Sequence, residues 1–458
     1  MSILLGMTMW LPKLDGRRGP VYRAIADAID EDVKTGALRA GARLPPHRHL
    51  ADHLGVTVTT ITRAYSEAAR RGLTSGHVGR GTFIRGNGAD ERAAEAPPFD
   101  MSINILMPDG EMAALQPRLF QRRVLPWSQL LGYVPHRGHP RHRHAMAAWL
   151  SRGGLTVDPE HIVLTAGAQH GLAATFSALL EPGDTLLCEE LTYSGAKALA
   201  QHLHLKLRGV ALDAEGLVPD ALERACRVSR ARVLYCMPRL QNPTSAIMSE
   251  RRQRQIGAVA EKHRLTVIED DVYGFLSPER APLAALIPGR TAFVTSVSKS
   301  LFPGIRLGCV AAPPEIAEKV AQAVWTTTIM ASPIGADLLC GWLEDGTAAR
   351  IEDWKRHEIA ARQTMARRLL AGERMQSHAS SPHIWLQLPP RWSSEAFAVQ
   401  ARARGVILNA STNFAVGEQP PRAIRLCLGT PRTRGGLEQA LALVRATLTS
   451  QPLTARAV

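Results

Sequence analysis

Thr295-Ser296-Val297-Ser298-Lys299-Ser300-Leu301-Phe302-Pro303-Gly304-Ile305-Arg306-Leu307-Gly308 places one lysine among small hydroxyl residues and follows it with an arginine. A primary amine attacks an aldehyde only when neutral, which requires a partly desolvated, cation-rich setting. Ser296 and Ser298 offer hydroxyls to the oxygens of a phosphate, and Arg306 offers a planar fork that binds such oxygens in pairs. The stretch therefore suits an aldehyde cofactor that carries a phosphate, and pyridoxal phosphate (PLP) answers that description. A surface loop with a solvated lysine is the other reading of these residues, and a short motif alone does not separate the two.

Three stretches upstream do. Val267-Ile268-Glu269-Asp270-Asp271-Val272-Tyr273 reads as a buried strand ending in acids. A carboxylate there, Asp270, can pair with a protonated pyridine nitrogen and keep the ring an electron sink, with Tyr273 in reach of the ring hydroxyl. Gln241-Asn242-Pro243-Thr244 supplies the Asn242 amide for the same ring oxygen. Thr165-Ala166-Gly167-Ala168-Gln169-His170 is a strand-to-helix turn whose glycine lets the backbone N–H groups of Gly167, Ala168 and Gln169 meet a phosphate at a helix N-terminus. In this order the four stretches resemble the fold type I aminotransferases, from about Asn104 to about Leu448. The resemblance implies that Lys299 forms the internal aldimine with PLP.

Size and charge set the outer limits. A chain of 458 residues with 45% hydrophobic content buries a sizeable core and has room for about three domains. The formal net charge of +14 favours a polyanionic partner, although a merely basic enzyme carries such a charge as well. Six scattered cysteines form no CxxC pair, which points to a reducing cytoplasm and no structural zinc. No long apolar run or cleavable leader stands out, so a soluble, cytoplasmic protein without membrane association is expected.

In the first ninety residues Val21, Ile25, Ile29 and Val33 recur every fourth position, as on an amphipathic helix. Leu44 to Thr57 predicts a short helix, a glycine turn and a threonine cap, followed by a second helix from about Val58 to Arg71. Ile61, Ala64, Tyr65 and Ala68 form its apolar stripe. This is a helix-turn-helix, whose second helix enters the major groove. Leu73–Ser75 and Thr82–Ile84, around a glycine-rich turn with Arg80, read as a wing. The segment resembles the winged-helix readers of the GntR regulators, in which Leu-Pro-x-x-Arg, Gly-Val-Ser/Thr and Gly-x-Gly-Thr recur. That resemblance puts Arg48, Thr57, Thr59, Thr60, Arg63, Arg80, Gly81 and Thr82 on DNA. Val58 departs from it, standing where those regulators commonly carry arginine. An accessory helical extension of an enzyme is the plainer alternative.

Gly86 to Pro98 is small, polar and closed by paired prolines, a tether in composition. The expected organisation is a winged helix-turn-helix over 1–85, a linker over 86–100, and an aminotransferase-like region over 101–458, large part about 101–340 and small part about 341–458. Alternating strands and helices, among them a helix from about Arg143 to Arg152, predict an α/β unit with a largely parallel sheet. Tyr193, in a loop after a strand, is placed to stack on a pyridine face. Arg425 sits centrally in an apolar strand, where a charge needs a partner. The aminotransferase resemblance makes that partner a ligand carboxylate, and makes Tyr133 a residue reaching the cofactor phosphate of a second subunit. Ser245 stands where many aminotransferases have glycine.

The join of the two parts resembles the MocR subgroup of GntR regulators over nearly the whole chain. It implies a homodimeric, DNA-binding transcription factor that holds PLP on Lys299 and senses an amino compound by transimination. Two other readings stay open: a working aminotransferase with a DNA-binding appendage, and a DNA binder that holds no cofactor.

Overall fold

The computed structural model describes residues 10–14, 19–38, 42–77, 81–84, 99–106 and 125–452. The chain divides into two compact units, Met1–Pro98 and Phe99–Val458.

In the first unit three helices, α1 (Val21–Lys34), α2 (His47–Leu54) and α3 (Val58–Arg70), precede a hairpin of β1 (Thr74–His77) against β2 (Gly81–Ile84). The turn between α2 and α3 is set by two local choices. Gly55 ends α2 at φ 64°, a left-handed conformation that glycine adopts without strain, and the Thr57 hydroxyl accepts the Thr60 N–H at 3.2 Å to start α3. Ile61, Ala64, Tyr65 and Ala68 face inward from α3 and pack with Ile25, Ile29 and Leu50. Burying each large aliphatic side chain there contributes roughly 1.5–3 kcal/mol. Tyr65 keeps its hydroxyl paired, donating to the Pro45 carbonyl at 2.9 Å.

The second unit is built on a seven-stranded sheet in the order Ile162–Thr165, Gly308–Ala311, Thr291–Ser296, Thr266–Asp270, Val233–Cys236, Thr185–Glu189, Lys206–Val210. Its central strands, such as Val267, Ile268 and Val294, are fully buried, as strands covered by helices on both faces must be. Most neighbours are parallel, but Gly308–Ala311 runs antiparallel to both of its partners. No strand is expected there from the sequence pattern. The strand forms because the chain after Lys299 turns straight back, and Gly308 permits the approach: an added Cβ would lie 2.5 Å from the Thr295 carbonyl oxygen. The helix expected from Arg143 begins earlier, at Pro140, since proline suits a first helical position and His139 Nδ1 accepts the Arg141 N–H at 3.2 Å.

Two helices, Pro333–Glu344 and the long Thr347–Leu369, lead to a four-stranded antiparallel sheet ordered Met375–Gln376, His383–Gln387, Ala423–Cys427, Asn409–Ala410. Phe99–Asp100 pairs in parallel with Val406–Ile407, so the first residues of this unit attach to its C-terminal part. All six cysteines are buried free thiols.

Candidate functional site

The parallel strands all end on one side of the sheet, where the chain leaves each strand with its backbone groups unpaired and its next side chains free to converge. A cavity of about 320 Å³ lies there. Ala168, Gln169, Tyr193, Asn242, Asp270, Tyr273, Ser296, Ser298, Lys299, Arg306 and Arg425 line it together. They come from positions as far apart as 168 and 425.

Lys299 follows the strand Thr291–Ser296 in the single turn Val297–Ser300. Burial holds its amine below the usual lysine range, and the charges of Arg425 and Arg306 push the same way. Its Nζ donates to the Asn104 carbonyl. The backbone of this turn is pinned from the long helix by Lys355, which is fully buried and donates to the carbonyls of Lys299 at 2.9 Å and Leu301 at 2.5 Å. Burial, with the neighbouring Lys299 charge behind it, pushes Lys355 down to about 7.

Asp270 ends its strand 2% exposed. Its Oδ2 accepts from the Tyr235 hydroxyl at 2.8 Å, while Oδ1 is buried with no protein partner. Burial raises the carboxyl to about 7 against the lowering effect of the Tyr235 bond. A buried carboxylate in this condition calls for a cationic donor. Asp271 has its own partner instead, a two-point contact with Arg239 in which Nε donates to Oδ1 at 2.8 Å.

Beside it, Asn104 Nδ2 donates to Tyr273 Oη at 2.9 Å and contacts His383 Nδ1 at 2.8 Å. His383 Nε2 lies 3.2 Å from the Gln241 carbonyl, which can only accept, so Nε2 carries the proton and Nδ1 is the acceptor. Burial pushes this imidazole down to about 3, so it is neutral. Both amide protons of Asn104 are thereby used, and the Tyr273 hydroxyl keeps its own proton for whatever enters the cavity.

Arg425, 5% exposed, donates from Nη1 to Asn242 Oδ1 at 2.8 Å and from Nη2 to the Ser102 carbonyl, with its guanidinium 4.8 Å from the centre of the Phe414 ring. Its Nε is buried without a partner. None of these partners is an anion, so the charge is hydrogen-bonded but not neutralised. At the other end Gly167, at φ 87°, opens the helix Ala168–Leu179, and an added Cβ would meet Arg306 Nη2 at 2.8 Å. Glycine thus leaves room for the guanidinium at a helix N-terminus, in the cavity that Ser296 and Ser298 also line.

PLP suits this donor set. Arg306, Ser296, Ser298 and the Ala168 and Gln169 N–H groups offer a phosphate cradle, Asp270 Oδ1 an acceptor for a protonated ring nitrogen, and Tyr273 and Asn242 donors for a ring oxygen. Tyr193 lines the wall for stacking. Tyr133 lies apart from the cavity and is 83% exposed. Ser245 adopts φ 66°, as glycine would, and its hydroxyl turns away to contact Ser381 Oγ at 2.8 Å and donate to the His383 carbonyl at 3.1 Å. Asn104, His383, Tyr235, Ser102 and Lys355 were missed from sequence, because each acts through partners more than thirty residues distant and none carries a local motif.

In the first unit Arg48, Thr57, Thr59 and Arg63 are exposed, Thr60 is half-buried, and Val58 is 41% exposed at the start of α3. The Arg63 guanidinium sits 4.6 Å from the Tyr22 ring centre. Gly81 and Thr82 open β2, while Arg80 lies outside the described residues.

An α/β unit with a lysine, an acid and a glycine turn converging at its strand ends defines an aminotransferase-like protein, here preceded by a winged helix-turn-helix. Comparison with known proteins gives the same result. Residues 116–442 match the family described as aminotransferase class I and II, and residues 21–84 match the bacterial regulatory proteins of the gntR family. The chain belongs to the aminotransferase class I and II family, a PLP-dependent fold family, and carries a gntR-type DNA-binding domain. It is 30% identical to the uncharacterized HTH-type transcriptional regulator YdeF of Bacillus subtilis over 95% of this chain and 96% of that protein. The vitamin B6 salvage pathway transcriptional repressor PtsJ of Salmonella typhimurium is 28% identical, covering 90% and 95%. The HTH-type transcriptional regulator TauR of Rhodobacter capsulatus is 26% identical, covering 87% and 90%. Its architecture is that of these HTH-type regulators. Among solved structures, an archaeal alanine:glyoxylate aminotransferase shares the fold with a TM-score of 0.72 at 23% identity, covering 79% of this chain and 93% of that one. No helix among the described residues is long and apolar enough to cross a membrane.

Proposed function

We propose that this protein is a transcriptional regulator that holds PLP on Lys299 and responds to an amino compound that takes the place of Lys299. The observation that carries the reading is the convergence on one cavity of a desolvated amine (Lys299), a buried carboxylate oxygen without a partner (Asp270 Oδ1) and a buried guanidinium without a counter-anion (Arg425). PLP supplies an aldehyde whose carbon a primary amine captures with loss of water. Asp270 keeps the ring nitrogen protonated, Tyr273 and Asn242 orient the ring oxygen, and Arg306 with the two serines holds the phosphate. Arg425 then selects for a carboxylate on the incoming amine.

The exposed Arg48, Thr57, Thr59 and Arg63 of α2 and α3, with Thr60 and with Arg80, Gly81 and Thr82 of the wing, would contact the DNA, and the tether expected over 86–100 would end at residue 98, since Phe99–Asp100 pairs within the second unit. Two copies would associate through their aminotransferase-like units, as the exposure of Tyr133 supports, and the protein would act in the cytoplasm where its DNA lies. Borohydride reduction of the PLP-treated protein, followed by peptide mapping, tests the central claim. A pyridoxyl group at position 299 is expected, absent from Lys299→Ala. No adduct at Lys299 in the native protein would defeat the proposal. Since every group needed for transamination lines the cavity, a working aminotransferase is the second reading, and steady turnover of an amino acid with a keto acid would favour it.

A further inference from the structure

Three side chains that the ligand must engage are already bonded to one three-residue segment. Lys299 Nζ donates to the Asn104 carbonyl, Arg425 Nη2 donates to the Ser102 carbonyl, and Tyr273 Oη accepts from Asn104 Nδ2 at 2.9 Å. The C-terminal part of the unit holds the same segment from behind. Met101 N donates to the Ile407 carbonyl at 2.8 Å and Cys427 N to the Met101 carbonyl at 2.9 Å. Asn409 Nδ2 donates to the Ser102 carbonyl at 2.7 Å and Thr430 Oγ1 to the Ile103 carbonyl at 2.6 Å. In sequence only Phe99, Asp100 and Met101 separate the segment from residues 86–98, which join it to the DNA-binding unit.

The two carbonyls take up the donors that a ligand would need. A carbonyl oxygen is a partial anion, so Ser102 O gives Arg425 a weak substitute for a carboxylate, and Asn104 O gives Lys299 an acceptor for an ammonium. A true carboxylate displaces a carbonyl from a guanidinium because hydrogen bonds between ionised partners are roughly twice as strong as neutral ones. A lysine nitrogen joined to a cofactor no longer presents an ammonium to Asn104. Cofactor joined to the lysine therefore removes the Lys299 hold, and a carboxylate-bearing amine that takes the lysine's place returns the free amine but removes the Arg425 hold.

On that basis we propose that Ser102–Asn104 is the arm through which occupancy of the cavity reaches the DNA-binding unit: the Ser102 carbonyl competes with the ligand's carboxylate for Arg425, and losing that contact frees it. The proposal rests on PLP binding as argued above. It gives the effector a definite class, amines that carry a carboxylate, since an amine without one leaves the Arg425 contact in place. A ligand shifts the equilibrium only by its differential affinity for the held and freed states, and the Arg425 contact is where that difference arises.

Hydrogen exchange of the full-length protein, read by mass spectrometry over Met101–Ile105, tests it with two probes. Pyridoxamine phosphate brings ring and phosphate without a carboxylate; N-(5'-phosphopyridoxyl)-glycine adds the carboxylate. Exchange is expected to be about fivefold faster with the glycine adduct than with pyridoxamine phosphate, the change from losing one ordinary hydrogen bond. Thermal shift registers binding separately. An adduct that binds while exchange stays level or slows overturns the arm and leaves the cofactor reading standing. If neither probe binds, both fall. Thr430→Val, outside the cavity, removes one of the rear holds. It is expected to speed exchange over the segment and to change affinity for the protein's own promoter DNA in the direction the glycine adduct does, at unaltered PLP affinity. Faster exchange with unchanged DNA affinity in this variant, where the adduct does alter it, also overturns the proposal.

Discussion

Replacing Asp270 with asparagine separates what this carboxylate does for the fold from what it does for a ligand. Burial raises the carboxyl from 3.8 to about 7, which corresponds to roughly 4 kcal/mol of penalty on the ionised form. The sign follows from the direction. A folded pKa above the unfolded one means that the native state binds the proton more tightly, so stability is greatest below pH 3.8, falls as pH rises, and levels off above about 7. Asparagine keeps an acceptor for the Tyr235 hydroxyl and cannot ionise. Cofactor-free Asp270→Asn should therefore exceed the native protein in stability by roughly 4 kcal/mol at pH 8, and by under 2 kcal/mol at pH 5. Urea unfolding followed by near-ultraviolet circular dichroism, which reports the buried Trp342, Trp385 and Trp392, measures the difference. Affinity for PLP should fall in the same variant, on the order of a hundredfold, because the ring cation loses its buried counter-charge. Native and variant stabilities that run parallel across this pH range would refute the reasoning, as would an unaltered PLP affinity.

Gly167→Ala forces a Cβ to within 2.8 Å of Arg306 Nη2 at a backbone φ of 87°. It should weaken PLP binding about tenfold and lower stability by roughly 1–2 kcal/mol, as fluorescence titration and thermal melting will show. Thr57→Ala removes the cap that accepts the Thr60 N–H and should destabilise the N-terminal unit by about 1 kcal/mol, with a matching loss of DNA affinity in a gel-shift titration. Lys355→Met strips the donor from the Lys299 and Leu301 carbonyls and should destabilise the large unit. Because burial lowers Lys355 from 10.5 to about 7, the native protein recovers stability as pH climbs between those values, and the variant's deficit should widen between pH 7 and pH 9 in urea unfolding.

Local chemistry was readable without coordinates. The fourfold spacing of Ile25 and Ile29, the Gly55 turn and the Thr57 cap specify a helix-turn-helix within one segment, and the apolar runs ending at Asp270 and Thr295 specify buried strands, because each signal concerns residues a few positions apart. Asp270 and Arg425 were legible because a charge set in or at the end of an apolar strand demands a partner, and Lys299 and Arg306 because small hydroxyl residues surround the lysine within one short stretch. What only the tertiary structure decided is which partner each one has. Nothing near Asp270 in the chain announces Tyr235, nothing near Lys299 announces Lys355 or Asn104, and the reversal that makes Gly308–Ala311 antiparallel depends on the space Gly308 leaves at the Thr295 carbonyl. Hydrogen bonds between residues a hundred or more positions apart, such as that from Arg425 to the Ser102 carbonyl, leave no periodicity behind. Such pairings arise only when packing brings separate elements to the same strand ends, where desolvation requires each buried polar group to find a partner.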